Sequence, residues 1–429
     1  MISNNSLVPT RSIKIDTAWK KAVLAVAALT LIPAVWFVLK WSMAGSAVQR
    51  ADSAELAVYL TTLAPDDPQT HSTAARYLEK SFDPEDIRKA LYELETAAAL
   101  APENYMAWLD LGRARERSGD AEGAEAALRR ALGLAPNYSR VQWALGNALL
   151  RQGRIDEAFS EIRKAVAGDT AFATPAAAAA WQFFDGDIRQ IRRAIDGSDN
   201  FNAALSAMLA REGRFDEAME VWETIPAAVK RTSLNETASV LLGRLLEAKK
   251  FRLAARVSGD LGDTGGQTGQ ITNGGFESAV KPDGAGQFEW QIAAGLQPQI
   301  VLSTGQKHGG NNSLMLIFNS GDAKDFRSIS QTVAVEPGRI YELEFFYRSD
   351  VKTSAVFKWE VADTGESKQL AATDAMTPTA EWKRMAVRFK VPERSEGIVI
   401  RLLRDGCGQV CSVTGSLWFD DFSIRTMEE

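Results

Sequence analysis

At 429 residues the chain is longer than one hydrophobic core usually supports, so more than one domain is expected. A net charge of -6 and a pI near 5.4 exclude the concentrated basic face of a phosphate-tracking protein, and no nucleic-acid motif occurs. The two histidines, His71 and His308, lie far apart and argue against a histidine-rich metal centre or a His-based triad; each reads as a surface or cap residue.

Residues 1–21 form a polar tail in which Arg11, Lys14, Lys20 and Lys21 face one acid, Asp16. Ala22 to Leu39 is a run of eighteen residues without a charge, long enough for the hydrocarbon core of a bilayer, and Trp19, Trp36 and Trp41 stand near its ends. A transmembrane helix is expected over 22–43. The positive charge before it places the tail in the cytoplasm and everything after about residue 45 across the membrane. A cleaved signal peptide is the rival, with Gly45-Ser46-Ala47 as the small-residue site; the long first region and Lys40-Trp41 count against it.

From 51 to 261 the chain is alanine-rich and carries a helical period. Ala90, Ala124 and Ala158 stand 34 residues apart, as do Leu94, Leu128 and Ile162, and Ala97, Ala131 and Ala165. Such a step describes helical hairpins that bury their apolar stripe only by stacking on a neighbour. Full units are expected at 71–102, 105–136 and 139–170. The 34-residue step is lost at Ala176–Ile195, which splits the array into two blocks, and further hairpins follow at Asn202–Pro226 and Asn235–Leu261. The glycine-rich stretch 262–270 reads as a flexible linker and a domain boundary. Beyond it the period becomes 2: Tyr341, Leu343, Phe345 and Tyr347 alternate with Glu342, Glu344, Phe346 and Arg348, and Trp418, Asp420, Phe422 and Ile424 are expected to share a face. Residues 271–426 therefore read as an antiparallel β sandwich.

With Trp108, Leu111, Gly112, Ala124, Leu128, Ala131 and Pro136 at fixed offsets, the unit Tyr105–Pro136 resembles the tetratricopeptide repeat. The resemblance implies a concave groove, lined from the first helix of each unit by Met106, Leu109, Arg113 and Glu116, then by Arg140, Trp143, Asn147 and Leu150. Asn147 fits the clamp with which some members grip a carboxylate, but Leu109 and Trp143 stand where that clamp needs cations. A mixed apolar and basic groove for a protein partner remains, in which Trp143 either meets the partner or packs between hairpins.

Asn273-Gly-Gly-Phe-Glu277, Gly310–Leu314, Val335–Tyr341 and Trp418-Phe-Asp-Asp-Phe422 together resemble the jelly-roll carbohydrate-binding modules and their galactose-binding-like relatives. That resemblance implies pairing of first and last strands and a structural calcium on Glu277 and Asp420; the alternative for these carboxylates is a bond to backbone amides or an arginine. Phe346, Arg348, Trp382, Arg384 and Arg388, with Arg401 in reserve, are the glycan-binding candidates, an arginine-rich face suited to an acidic glycan. Otherwise they form an ordinary solvated β face. Cys407 and Cys411 cannot complete a zinc site and read, in an exported domain, as a local disulfide.

No phosphate loop, nucleophile elbow or zinc-protease helix occurs, and no catalytic residue is expected. The sequence thus reads as a non-enzymatic scaffold on the outer side of a bacterial inner membrane, binding a protein through its repeats and a polysaccharide or another protein at its sandwich, by analogy with exopolysaccharide or envelope-polysaccharide assembly. The alternative is a lectin-like protein or a polysaccharide-acting enzyme with the sandwich as targeting module.

Overall fold

The structure is a computed structural model and describes residues 17–81, 83–195, 198–262, 266–322, 326–406 and 410–428. The chain forms two compact units. One runs to Phe172 and takes in the residues from Arg192 at the end of a later helix; the other holds Ala173–Ile191 and the rest of the chain.

The first unit begins with α1 (Ala18–Val48), long and apolar enough to cross a membrane and interrupted by no break at Pro33 or at Gly45-Ser46-Ala47. Then come α2 (Ala54–Leu63), α3 (Pro68–Leu78), α4 (Pro84–Leu100), α5 (Tyr105–Ser118), α6 (Ala121–Leu134), α7 (Ser139–Arg151) and α8 (Ile155–Gly168). Local chemistry sets their ends. Asp67 and Asp83 cap α3 and α4 ahead of a proline in the first turn, and Asn104 and Asp120 cap α5 and α6. Helix α5 stops at Gly119, whose φ of +88° suits a residue without a Cβ.

The 34-residue step has a physical cause. The repeated small and aliphatic residues, Ala90 and Leu94, Ala124 and Leu128, Ala158 and Ile162, are all buried. Gly112 and Gly146 sit against them so closely that a Cβ would come within 2.6 Å of Leu128 and 2.7 Å of Ile162. The α5/α6 and α7/α8 hairpins therefore close by backbone approach, and α3/α4, α5/α6 and α7/α8 pair as the periodicity predicts.

The second unit opens with α9 (Ala173–Phe183) and α10 (Ile188–Ala194), the degenerate hairpin, so the expected split of the array falls at Phe172. It continues through α11 (Asp199–Arg211), α12 (Phe215–Glu223), α13 (Ala227–Ser233), α14 (Asn235–Glu247) and α15 (Phe251–Asp260). Helix α13 is absent from the periodic reading; its buried Lys230 donates to Asp260 at 2.8 Å beside Trp222, which donates to the same oxygen.

The strands are β1 (Gln291–Ile292), β2 (Gln299–Ser303), β3 (Ser313–Asp322), β4 (Ile329–Ala334), β5 (Ile340–Ser349), β6 (Val356–Asp363), β7 (Gln369–Ala372), β8 (Thr379–Lys390), β9 (Gly397–Asp405) and β10 (Val410–Met427). They form two antiparallel sheets, β1-β4-β9-β6-β7 and β2-β3-β10-β5-β8. Their inner faces share a core that includes Phe276, Trp359, Phe345, Phe419 and Phe422.

Three expectations are corrected here. Residues 263–265 of the expected linker lie outside the described residues, and the last two helices are not held apart from the sandwich: Lys249 donates to the Gly365 carbonyl at 2.7 Å, the Arg252 amide donates to Glu396 at 3.3 Å, and the Phe251 ring lies against Gly397. Gly269 also donates to the Ala334 carbonyl, so the glycines admit close packing as well as freedom. Residues 272–275 form a turn rather than a strand paired with β10, with Asn273 and Phe276 at φ +50° and +53° and a backbone bond from Phe422 to Gly274. Finally, Trp418, Asp420, Phe422 and Ile424 do not share a face. A bulge between Asp420 and Ser423, with Asp421 at φ +50°, resets the alternation, so Phe419, Phe422 and Ile424 enter the core and Trp418 and Asp420 lie on the other side.

Candidate functional site: the outer face of the β10-β5-β8 sheet

Strand alternation puts Glu342, Glu344, Phe346 and Arg348 of β5 on the outer face, between Trp382, Arg384 and Arg388 of β8 and Trp418, Asp420 and Arg425 of β10. Four of the five glycan-binding candidates therefore stand near one another in register, and Arg388 extends the row at the far end. Arg401 is on the other sheet, bonded to the buried Glu360.

The face has two halves. In one, Glu342 accepts from Arg388 at 2.8 Å and from Arg425 at 2.6 Å, and Glu344 accepts from Arg384 and from Arg425 at 2.9 Å. The Arg425 bond, then that of Arg388, holds the Glu342 carboxyl down to about 2, and Arg384 lowers that of Glu344. Arg384 and Arg388 are thus committed to carboxylates and do not form a free cationic surface.

In the other half the His308 ring stacks on Phe346 with centroids 3.7 Å apart, and Trp382 stands at 6.0 Å from His308. Arg348 lies over the Trp418 ring and bonds Gln306. His308 is a surface residue, as expected, but also part of an aromatic cluster, which no local pattern announces: its partners are far along the chain.

One loop serves both this cluster and the two candidate metal ligands. The backbone amides of His308 and Gly309 donate to Asp420 at 2.8 and 3.1 Å, and those of Asn311 and Asn312 donate to Glu277 at 2.7 and 3.1 Å. Asp420 is fully buried and, among the described residues, bonded to no cation; burial pushes its carboxyl up against the pull of three backbone amides. Glu277 is held below the usual range by the Asn311 and Asn312 amides. Among the described residues no three acidic, histidine or cysteine side chains gather as a metal cage.

In the first helical unit the groove candidates separate. Arg113 and Arg140 make no hydrogen bond or ion pair among the described residues. Glu116 is paired with Arg151 at 2.8 Å, and its carboxyl is raised by burial. Trp143 stacks on Phe172 at 5.3 Å, which is the packing alternative, and Asn147 donates to the Trp143 carbonyl. Leu109 is buried between hairpins rather than lining a groove. The next residue, Asp110, has its carboxyl raised by burial despite the charges of Arg113, Arg76 and Arg117, a feature the family pattern does not mark. His71 is likewise buried, with its ring nitrogens 2.5 Å from Glu93 and 2.8 Å from the Pro65 carbonyl, and is not a surface residue. Cys407 lies outside the described residues, as does the side chain of Cys411.

A family model described as a carbohydrate binding domain matches residues 268–403, and two tetratricopeptide repeat models match 83–139 and 116–180. No curated protein matches the chain. Among solved structures, one titled "CBM4 structure and function" is 15% identical over 37% of this chain and 99% of its own, with a TM-score of 0.28. A module titled "TmCBM61 in complex with beta-1,4-galactotriose" is 16% identical over 38% and 100%, with a TM-score of 0.29. The MamA protein of Desulfovibrio magneticus RS-1 is 17% identical over 43% and 90%, with a TM-score of 0.29. The matched family models are binding modules rather than catalytic ones. The chain joins tetratricopeptide repeats to a carbohydrate-binding-module-like jelly roll.

Proposed function

We propose that this protein is a non-enzymatic scaffold, anchored by α1 on the outer side of a bacterial inner membrane, that grips a protein partner through its first repeat block and a glycan at the outer face of its sandwich. The observation that carries the glycan reading is the aromatic half of that face, where Phe346, His308, Trp382 and Trp418 gather beside Arg348. Flat rings beside hydrogen-bonding groups are what a pyranose needs: its apolar face stacks while its hydroxyls find donors and acceptors. The test is binding of the full chain to a glycan panel; retention of none sinks the reading, and release of reducing ends points instead to a polysaccharide-acting enzyme.

The anchor reading is supported by the unbroken course of α1 through Gly45-Ser46-Ala47 and by the charges before it. The partner reading rests on Arg113 and Arg140, which have no ion pair among the described residues. A photo-crosslinker at either position should give a discrete adduct in membranes, and one at Arg130, which is ion-paired to Glu103, should not. Adducts of equal yield from all three positions would remove the groove. The place of the protein in exopolysaccharide or envelope-polysaccharide assembly belongs to the same proposal.

Calcium is also proposed, on Glu277 and Asp420 with nearby carbonyls. Its support is the buried Asp420 carboxylate, which no cation among the described residues neutralises, held by the same 308–312 loop that holds Glu277. The ion would supply positive charge to Asp420 and order the loop. Chelation should lower the melting temperature, and Glu277→Ala should abolish the difference; a melting curve indifferent to chelator removes the metal.

A further inference from the structure

Phe346 is the flat aromatic on the outer face of β5, yet its ring is already covered. The His308 imidazole lies 3.7 Å from it and within 13° of parallel. That is the layer a stacked sugar would occupy, so a pyranose cannot use this surface of Phe346 while His308 is in place. His308 itself remains about a third exposed, with a side-chain exposure of 34%, and Trp382 stands beside it at 64°. The two rings make a floor and a wall.

The floor is held from beneath and behind. The His308 amide donates to Asp420, and its Nδ1 lies 2.6 Å from an Asp421 carboxylate oxygen. Gln306, two residues earlier, holds Arg348 against Trp418. The imidazole is therefore fixed in orientation before any ligand arrives, which lowers the ordering cost of binding.

We infer that His308 is the sugar-stacking residue of this face and that the site takes a neutral glycan rather than an acidic one. This rests on the carbohydrate-binding reading above. The charge argument comes from the same residues: Arg384, Arg388 and Arg425 are paired with Glu342 and Glu344, while Asp420 and Asp421 lie next to His308. Arg348, the cation of the aromatic half, is engaged by Gln306 and Trp418, and a uronic acid stacked on His308 would lie beside the Asp421 carboxylate.

The experiment uses the full chain in detergent against β-linked gluco-, galacto- and xylo-oligosaccharides and against oligouronates, with wild type, His308→Ala and His308→Phe compared by calorimetry. Wild type should bind a neutral oligosaccharide with an affinity that added salt leaves unchanged. His308→Ala should weaken it about tenfold, and His308→Phe, which keeps a ring but not the Asp421 bond, should stay within about threefold. An Ala variant that binds like wild type overturns the inference, as does a Phe variant as weak as Ala or a preference for oligouronates that salt abolishes. Wild type binding no glycan removes the carbohydrate reading itself, and this inference with it. Melting curves of both variants separate lost stacking from lost fold.

Discussion

The two halves of the outer face are built by the same strand, β5, and use the same alternation for opposite ends. At Glu342 and Glu344 the outward side chains meet three arginines and close into an ion-paired ladder; further along the strand, Phe346 and Arg348 meet His308, Trp382 and Trp418 and leave the His308 ring partly exposed. An arginine count over the whole face suggests a cationic surface. The pairing shows that the arginines of the first half are committed to carboxylates, and it leaves the aromatic half as the surface proposed for a glycan. Which partner stands across the strand, and not residue type, decides the role.

The sharpest way to break this comparison is Trp418→Ala. Trp418 is largely buried, so its loss should cost about 3 kcal/mol in denaturant unfolding and also release Arg348 from its platform, weakening glycan binding. Next comes Glu342→Gln, which removes the acceptor shared by Arg388 and Arg425. It should cost about 2 kcal/mol while leaving glycan affinity unchanged; a matching fall in affinity would merge the two halves into one site. Acid titration sharpens the point. The Glu342 carboxyl is held down to about 2, so its contribution is present above the ordinary value of 4.5 and is lost as pH falls from there through about 2. The Gln variant should lose that limb of the stability curve, read by tryptophan fluorescence against pH.

Much of this is legible in the chain. The 34-residue step is visible because all three units bury the same small and aliphatic pair, Ala90 with Leu94, Ala124 with Leu128 and Ala158 with Ile162, and two of them add the close approach of Gly112 and Gly146. The alternation of β5 is visible because one side is buried throughout. The bulge at Asp421 is not, since Trp-Phe-Asp-Asp-Phe satisfies strict alternation as well as it satisfies the real, shifted register. His308 escapes for another reason: its partners Phe346, Trp382 and Asp421 arrive by sheet pairing across long stretches of sequence. Gly266 and Gly269 mislead because glycine serves freedom and tight contact alike, and only their neighbours Ala255 and Ala334 reveal which applies.

The first helical unit repeats the contrast on a smaller scale, between Arg113 and Arg140, without an ion pair among the described residues, and the closed pair of His71 with Glu93. The Pro65 carbonyl can only accept, so the His71 Nε2 carries a proton; Nδ1 and Glu93 share another at 2.5 Å. The Glu93 bond raises the His71 pKa above its ordinary 6.5, against the effect of burial and with help from Pro65 and Asp67. A raised histidine stabilises fully below its unfolded value, and the contribution is lost as pH climbs through the folded one. Amide exchange in α3 and α4 should therefore quicken as pH rises above 6.5, beyond the intrinsic base-catalysed rate, with a melting shift of about 3 °C that His71→Gln removes. Equal acceleration in α5 and α6, which lack the pair, would mean that the change is global, and would leave the closed pair with no role of its own.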